Sequence, residues 1–200
     1  MGYQAIERIK KQFPKQAYFT RADAIKKGIH WENIRQMVDK GEVEHSARGV
    51  YGFVGAEVTA NDSFALAAIT VPRGVICLIS ALRFHGITTQ LPSYVWMAIE
   101  NKMWRPKQAG TGLQLVFLSG NSFTSGIEEH MVEGVKVRLY CPAKTVADCF
   151  KYRNKIGLDV ALEALKEGRR ARKFTADELT KYARIDRVLN VIKPYMEAVF

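Results

Sequence analysis

Apolar residues recur at helical spacing over the first forty positions of the chain. Ile6, Ile9 and Phe13 share one face while Arg8, Lys10 and Lys11 point away, and Pro14 ends the pattern. Tyr18-Phe19 forms one extended step, and Thr20 then stands where an N-cap is needed for a helix over 21–27, with Asp23 at the third helical position as in a capping box. Gly28 supplies the left-handed position that closes this helix. A second helix over 31–40 places Trp31, Ile34, Met37 and Val38 on one side, and Gly41 ends it. Two short helices joined by Gly28-Ile29-His30 predict a helix-turn-helix. Beyond it, Val43 faces inward in the alternating run 42–46, and residues 50–54 return as a strand around an Ala47-Arg48-Gly49 turn. The hairpin completes a winged helix-turn-helix over 1–55.

From residue 56 the periods mix. An Ala-rich helix is expected from Asn61 to Val71, stopped by Pro72-Arg73-Gly74, and residues 75–78 lead into a helix over 80–85 closed by Gly86. Residues 94–99 and 113–118 are apolar runs of strand length, and 131–140 folds over Glu133-Gly134 as a hairpin. From Ala143 onward the pattern is helical, with segments over 145–152, 158–167, a helix capped by Thr175 with Glu178 at the third position, and 188–199 interrupted by Pro194. The predicted class is α+β: an N-terminal winged helix-turn-helix (1–55), then a mixed α/β domain (56–200) whose last third is helical.

Charge sharpens this picture. The chain has 200 residues, 30 Lys and Arg against 20 Asp and Glu, and a net charge of +10. The excess lies at both ends, whereas residues 56–140 are nearly balanced. A basic balance of this size favours a polyanionic partner, because each neutralised phosphate releases condensed counterions. On the second helix Asn33, Arg35, Gln36 and Lys40 are the side chains expected to face outward. They are of the types that read base edges, Arg on guanine and Asn or Gln on adenine. Glu32 and Asp39 leave that helix nearly neutral, so phosphate attraction falls to Arg21, Lys26, Lys27, Lys11 and Lys15, and to Arg48 at the tip of the wing. The basic run Arg169, Arg170, Arg172 and Lys173 between two C-terminal helices is either a solvated loop or a surface for a phosphate or an acidic protein.

The chemistry-bearing residues argue against an enzyme. Lys144-Thr145 has no preceding glycines to cradle a phosphate. His30, His45, His85 and His130 are scattered and none has metal-ligand spacing, so no metal and no cofactor is expected. Cys77, Cys141 and Cys149 lack C-x-x-C spacing and read as buried small hydrophobes of a reducing compartment. Glu100-Asn101-Lys102 matches half of a metal-dependent nuclease centre, but no acidic residue stands between Asp62 and Glu100 to supply the other half. No segment is long and apolar enough for a membrane span or a signal peptide, and the expected location is the cytoplasm. A metal-dependent nuclease using Glu100 and Lys102, and a module docking its basic C-terminus on an acidic protein, remain as alternatives.

Three blocks together resemble a known family: residues 19–52 (FTRADAIKKGIHWENIRQMVDKGEVEHSARGVYG), residues 76–100 (ICLISALRFHGITTQLPSYVWMAIE) and residues 137–168 (VRLYCPAKTVADCFKYRNKIGLDVALEALKEG). They are similar to the AbiEi antitoxins. The resemblance implies a repressor that binds its own promoter, at inverted repeats and as two copies, and that counteracts a nucleotidyltransferase toxin of the AbiEii type, with direct binding to that toxin left open. It also places Lys144, Thr145 and Asp148 in a Pro-x-Lys-Thr-x-x-Asp block, either as an antitoxin or partner surface or as residues of a helix start, where Asp148 would favour the positive end of the dipole.

Overall fold

The computed structural model describes residues 7, 9, 11–13, 17–47, 49–56, 59–103 and 112–199. They divide into two compact units, one comprising the chain up to Pro72 with Met131–Val137, the other the remaining described residues from Arg73 onward. The first unit thus extends beyond residue 55. The reason is local: helix α3 (Asp62–Thr70) packs with the first two strands, and the Tyr18 hydroxyl donates to Asp62 Oδ1 at 2.5 Å.

In the first unit, strand β1 (Tyr18–Thr20) leads into α1 (Arg21–Lys26), followed by α2 (Trp31–Asp39), β2 (Val43–Ala47) and β3 (Val50–Phe53). The three strands form an antiparallel sheet in the order β1-β3-β2, with Tyr18 opposite Gly52 and Val43 opposite Phe53. Thr20 caps α1, accepting from the Asp23 N–H at 3.0 Å. The expected reciprocal bond takes a different form: the Thr20 hydroxyl donates to Asp23 Oδ2 at 2.6 Å, while the Thr20 backbone belongs to the sheet opposite Val50. Gly28, at φ 78°, turns the chain between α1 and α2 in a conformation that costs other residues about 1–2 kcal/mol. Beneath these elements Ile9, Phe13, Phe19, Ile34, Met37 and Tyr51 form one apolar core, in which Phe19 lies 5.2 Å from Phe13 and 5.6 Å from Tyr51.

A five-stranded sheet runs in the order β6-β5-β4-β8-β7, built from β4 (Val75–Ile76), β5 (Val95–Glu100), β6 (Leu113–Leu118), β7 (Ile127–Val132) and β8 (Val135–Tyr140). It is mixed: β4 is antiparallel to β5 but parallel to β8, and β5 is parallel to β6. Both faces of β5 are buried. Trp96 and Ala98 join the helical core with Val116 and Leu118, while the alternate residues Val95, Met97 and Ile99 are buried on the other face. This explains why the strand reads as a continuous apolar run.

Helices α4 (Leu78–Phe84), α5 (Asn121–Thr124), α6 (Pro142–Lys151), α7 (Arg153–Ile156), α8 (Leu158–Arg170), α9 (Ala176–Ile185) and α10 (Leu189–Val199) complete the described elements. Helix α6 is central, packing against α4, α8 and α9. It begins at Pro142 rather than near Thr145, with proline at the first helical position, where its missing N–H costs nothing. Thr175 and Glu178 form the expected capping box on α9. Pro194 lies inside α10 without breaking it; the bond it removes would have gone to the carbonyl of Asn190, an exposed residue. Among the described residues, no helix is long and apolar enough to cross a membrane.

Candidate functional site

Two places in the molecule concentrate the chemistry that the sequence singled out, and they differ in kind.

The first is the outer face of α1 and α2. Ile34 and Met37 are buried and hold α2 on the sheet, whereas Arg35, Gln36 and Lys40 are exposed and Asn33 is half-buried. Arg21 stands at the start of α1 with its guanidinium 4.3 Å from the centre of the Trp31 ring, so a residue opening one helix is oriented by a residue opening the next. Lys26 is exposed in the last turn of α1. Lys27 is exposed too, but its ammonium donates to the Gln12 carbonyl and lies 4.5 Å from the Phe13 ring centre, so part of its role is to tie the N-terminal segment to α1. Lys11 is exposed; Arg48 and Lys15 lie outside the described residues.

The second is a buried charge cluster on α6. Lys144, Thr145 and Asp148 have 0%, 0% and 1% of their surface exposed, which corrects the expectation of a partner surface there. The helix-start role for Asp148 is also corrected, since α6 begins six residues earlier and has no acidic residue in its first turn. Lys144 Nζ donates to Asp148 Oδ1 at 2.5 Å and to Asp186 Oδ2 at 3.1 Å, and it lies 4.6 Å from the Tyr140 ring centre. Gly126 lets the backbone come this close: a Cβ there would stand 2.8 Å from Lys144 Cβ. Thr145 Oγ1 and His85 Nε2–H both donate to the Tyr140 carbonyl, at 3.0 and 2.8 Å, and the Tyr140 hydroxyl donates to Phe123 O at 2.8 Å.

The cluster holds one ammonium between two carboxyls. Burial alone would push Lys144 down, but Asp148 and Asp186 together outweigh it and hold it above its ordinary value. Asp148 is pushed up to about 8, first by burial and then by Asp186, against the pull of Lys144. A proton retained on the carboxyl pair leaves the buried site electrically neutral, the arrangement a low-dielectric interior favours. Asp186 also faces Lys151, whose Nζ is 3.6 Å from Asp186 Oδ1 and donates to Ser122 Oγ at 3.2 Å. Asp186 and Lys151 were not singled out in the sequence. Asp186 stands 42 positions from Lys144, and nothing in local spacing links them.

The basic segment after α8 is exposed at Arg169, Arg170, Arg172 and Lys173, and Arg170 pairs with Glu167. It is less a loop than a helix end. Arg169 and Arg170 belong to the last turn of α8, the Lys173 N–H reaches the Gly168 carbonyl at 2.9 Å, and Phe174 packs on Gly168.

The remaining candidates do not assemble. Glu100 ends β5 and is half-buried, Lys102 is exposed, and among the described residues no three His, Cys, Asp or Glu side chains gather as a metal site. His130 has a carboxylate within reach, Glu128 Oε2 at 3.2 Å, unlike the isolated histidine expected. Cys77 and Cys149 are fully buried and Cys141 partly so; burial pushes all three thiols up, toward the protonated form.

No family model matches the chain, and no curated protein does. Among solved structures it is similar to that of the RV2827C protein from Mycobacterium tuberculosis, with a TM-score of 0.62 and 12% identity over 90% of this chain and 71% of that one. At that identity the likeness is one of fold.

Proposed function

We propose that this protein is a DNA-binding repressor and antitoxin of the AbiEi type, whose N-terminal unit is a winged helix-turn-helix. The observation that carries the DNA-binding half is the face of α1 and α2, where Arg35, Gln36 and Lys40 stand exposed on a helix anchored by Ile34 and Met37, next to a β1-β3-β2 sheet. In this reading α2 enters the major groove, Arg35 and Gln36 meet base edges, and Arg21, Lys26 and Lys40 neutralise phosphates. The β2–β3 hairpin is the wing, and Arg48 falls between its two strands in the sequence. Two copies on inverted repeats would place their α2 helices about 34–36 Å apart, one turn of the duplex.

The antitoxin half rests on the three sequence blocks that resemble the family. It assigns the exposed cations of 169–173 to contact with a polyanionic or acidic partner in the toxin's pathway, and it leaves the Lys144 cluster as the internal support of that surface. This proposed role is non-enzymatic and cytoplasmic.

Binding of wild-type protein and Arg35→Ala to the DNA just upstream of the gene, across a salt series, tests the first half. Selective binding by wild type is expected, with Arg35→Ala losing selectivity while keeping most of its salt slope; Lys40→Ala is expected to weaken all sequences alike and reduce that slope by about one. Equal affinity of wild type for promoter and unrelated DNA would overturn the repressor reading. For the second half, coexpression with the neighbouring toxin gene is expected to rescue growth, and neutralising Arg169, Arg170, Arg172 and Lys173 together to abolish the rescue.

A further inference from the structure

Two helices of the second unit end in the same way, and in both an arginine occupies the position that normally takes glycine. After α8, Arg172 has φ 53°, with its N–H on the Arg169 carbonyl and the next N–H, of Lys173, on Gly168. After α9, Arg187 has φ 60°, with its N–H on the Arg184 carbonyl and the Val188 N–H on Ala183. Both are Schellman ends, which favour glycine because a side chain is strained in the left-handed region. The two differ in surroundings. Arg172 lies on the exposed basic segment, whereas Arg187 lines a cavity of about 510 Å³ together with Ser119, Asn121, Ser122, Lys151 and Asp186.

The electrostatics of that cavity are set from behind. Asp186 is buried and already hydrogen-bonded to Lys144, so its charge is largely spent inward. Lys151 is fixed by donating to Ser122 Oγ, which in turn donates to the Ile185 carbonyl at 3.3 Å, and 30% of its side chain stays accessible. Lys151 and Arg187 therefore supply more positive charge to the cavity than Asp186 removes. Three short polar side chains surround these two cations, and among the described residues no aromatic ring lines the space.

We infer that the cavity between the Ser119–Ser122 turn, Lys151 and Arg187 binds the phosphate group of a small phosphate ester. A phosphate offers several terminal oxygens, enough for a forked guanidinium, an ammonium and the Ser119 and Asn121 donors at once; a carboxylate offers two. The cavity is larger than one phosphate and falls in the size range of small-molecule sites, so the group arrives on a larger body of nucleotide size. This site is separate from the face of α1 and α2 and does not depend on DNA binding.

Calorimetric titration of the full chain with inorganic phosphate and with adenosine 5′-monophosphate, at fixed ionic strength in chloride buffer, tests it. Saturable binding is expected for both, tighter for the nucleotide if the body of the ester is also held and equal if the phosphate alone is. Arg187→Gly and Lys151→Gln should each weaken binding about tenfold or more, the loss expected for one charge-assisted hydrogen bond. Arg187→Gly also relieves the left-handed strain, so its melting temperature should rise while its affinity falls, which separates loss of the site from loss of the fold. Arg172→Gly, with the same backbone change outside the cavity, should be stabilised and bind as wild type does. Absence of saturation up to about 20 mM of either ligand, far above the range of specific sites, or undiminished binding in Arg187→Gly and Lys151→Gln, would overturn the assignment.

Discussion

Helices α2 and α6 are nearly the same length and carry similar charged residues, yet they use them in opposite ways. On α2 two residues, Ile34 and Met37, are buried, and Arg35, Gln36 and Asp39 face solvent, as does Lys40 at its C-cap. On α6 eight consecutive residues from Ala143 to Phe150 are buried, Lys144, Thr145 and Asp148 among them. A lysine on the first kind of helix is available to a partner. A lysine on the second is part of the protein's own interior, worth having only while its counter-charges stay in place. Polar periodicity alone does not separate the two cases, since both helices alternate apolar and polar residues at helical spacing.

The largest test of that contrast is Lys144→Ala. It leaves Asp148 with no cation and Asp186 with only the partly exposed Lys151 at 3.6 Å, and a broken buried pair costs about 3–5 kcal/mol; urea unfolding should show the loss as a lower midpoint. A near-neutral result would mean that α6 tolerates its charges as loosely as α2 does. The pH dependence is the next test. Because Asp148 sits above its ordinary value, at about 8, its contribution to stability is complete below the unfolded value near 4 and is lost as pH rises through about 8. Melting temperatures of wild type should therefore fall relative to Asp148→Asn between about pH 5 and pH 8.5. Parallel curves would show that Asp148 does not hold the proton. Removing a cap is milder: Thr20→Ala should cost about 1 kcal/mol by stranding the Asp23 N–H at the start of α1. Smallest of all, Arg35→Ala should change stability by less than about 0.5 kcal/mol, as expected for an exposed side chain, so any change in DNA binding can be read directly.

Much of the molecule was legible where a local rule sufficed. Strand β6 occupies the predicted 113–118, Thr20 and Thr175 cap the predicted helices, and Gly28 closes α1. Each of these is decided within a few residues. What was illegible depends on distant partners or on missing signals. The fate of Lys144 is set by Asp186, far along the chain, and by Gly126, which clears room for it. Arg172 and Arg187 conceal helix ends because the usual glycine is absent. Tyr18 and Asp62 draw α3 to the first sheet by a bond that no spacing predicts.

The separation of Lys144 from Asp186 has a consequence in time. At about 5–20 residues per second, synthesis delivers Asp186 some two to eight seconds after Lys144. Through that interval α6 has its internal partner Asp148, but lacks the carboxylate that joins it to the chain beyond α9. The nascent second unit therefore waits on the chain after α9, and a product stopped short of residue 186 would hold Lys144 to Asp148 alone, without the long-range ion pair that ties α6 to that later segment.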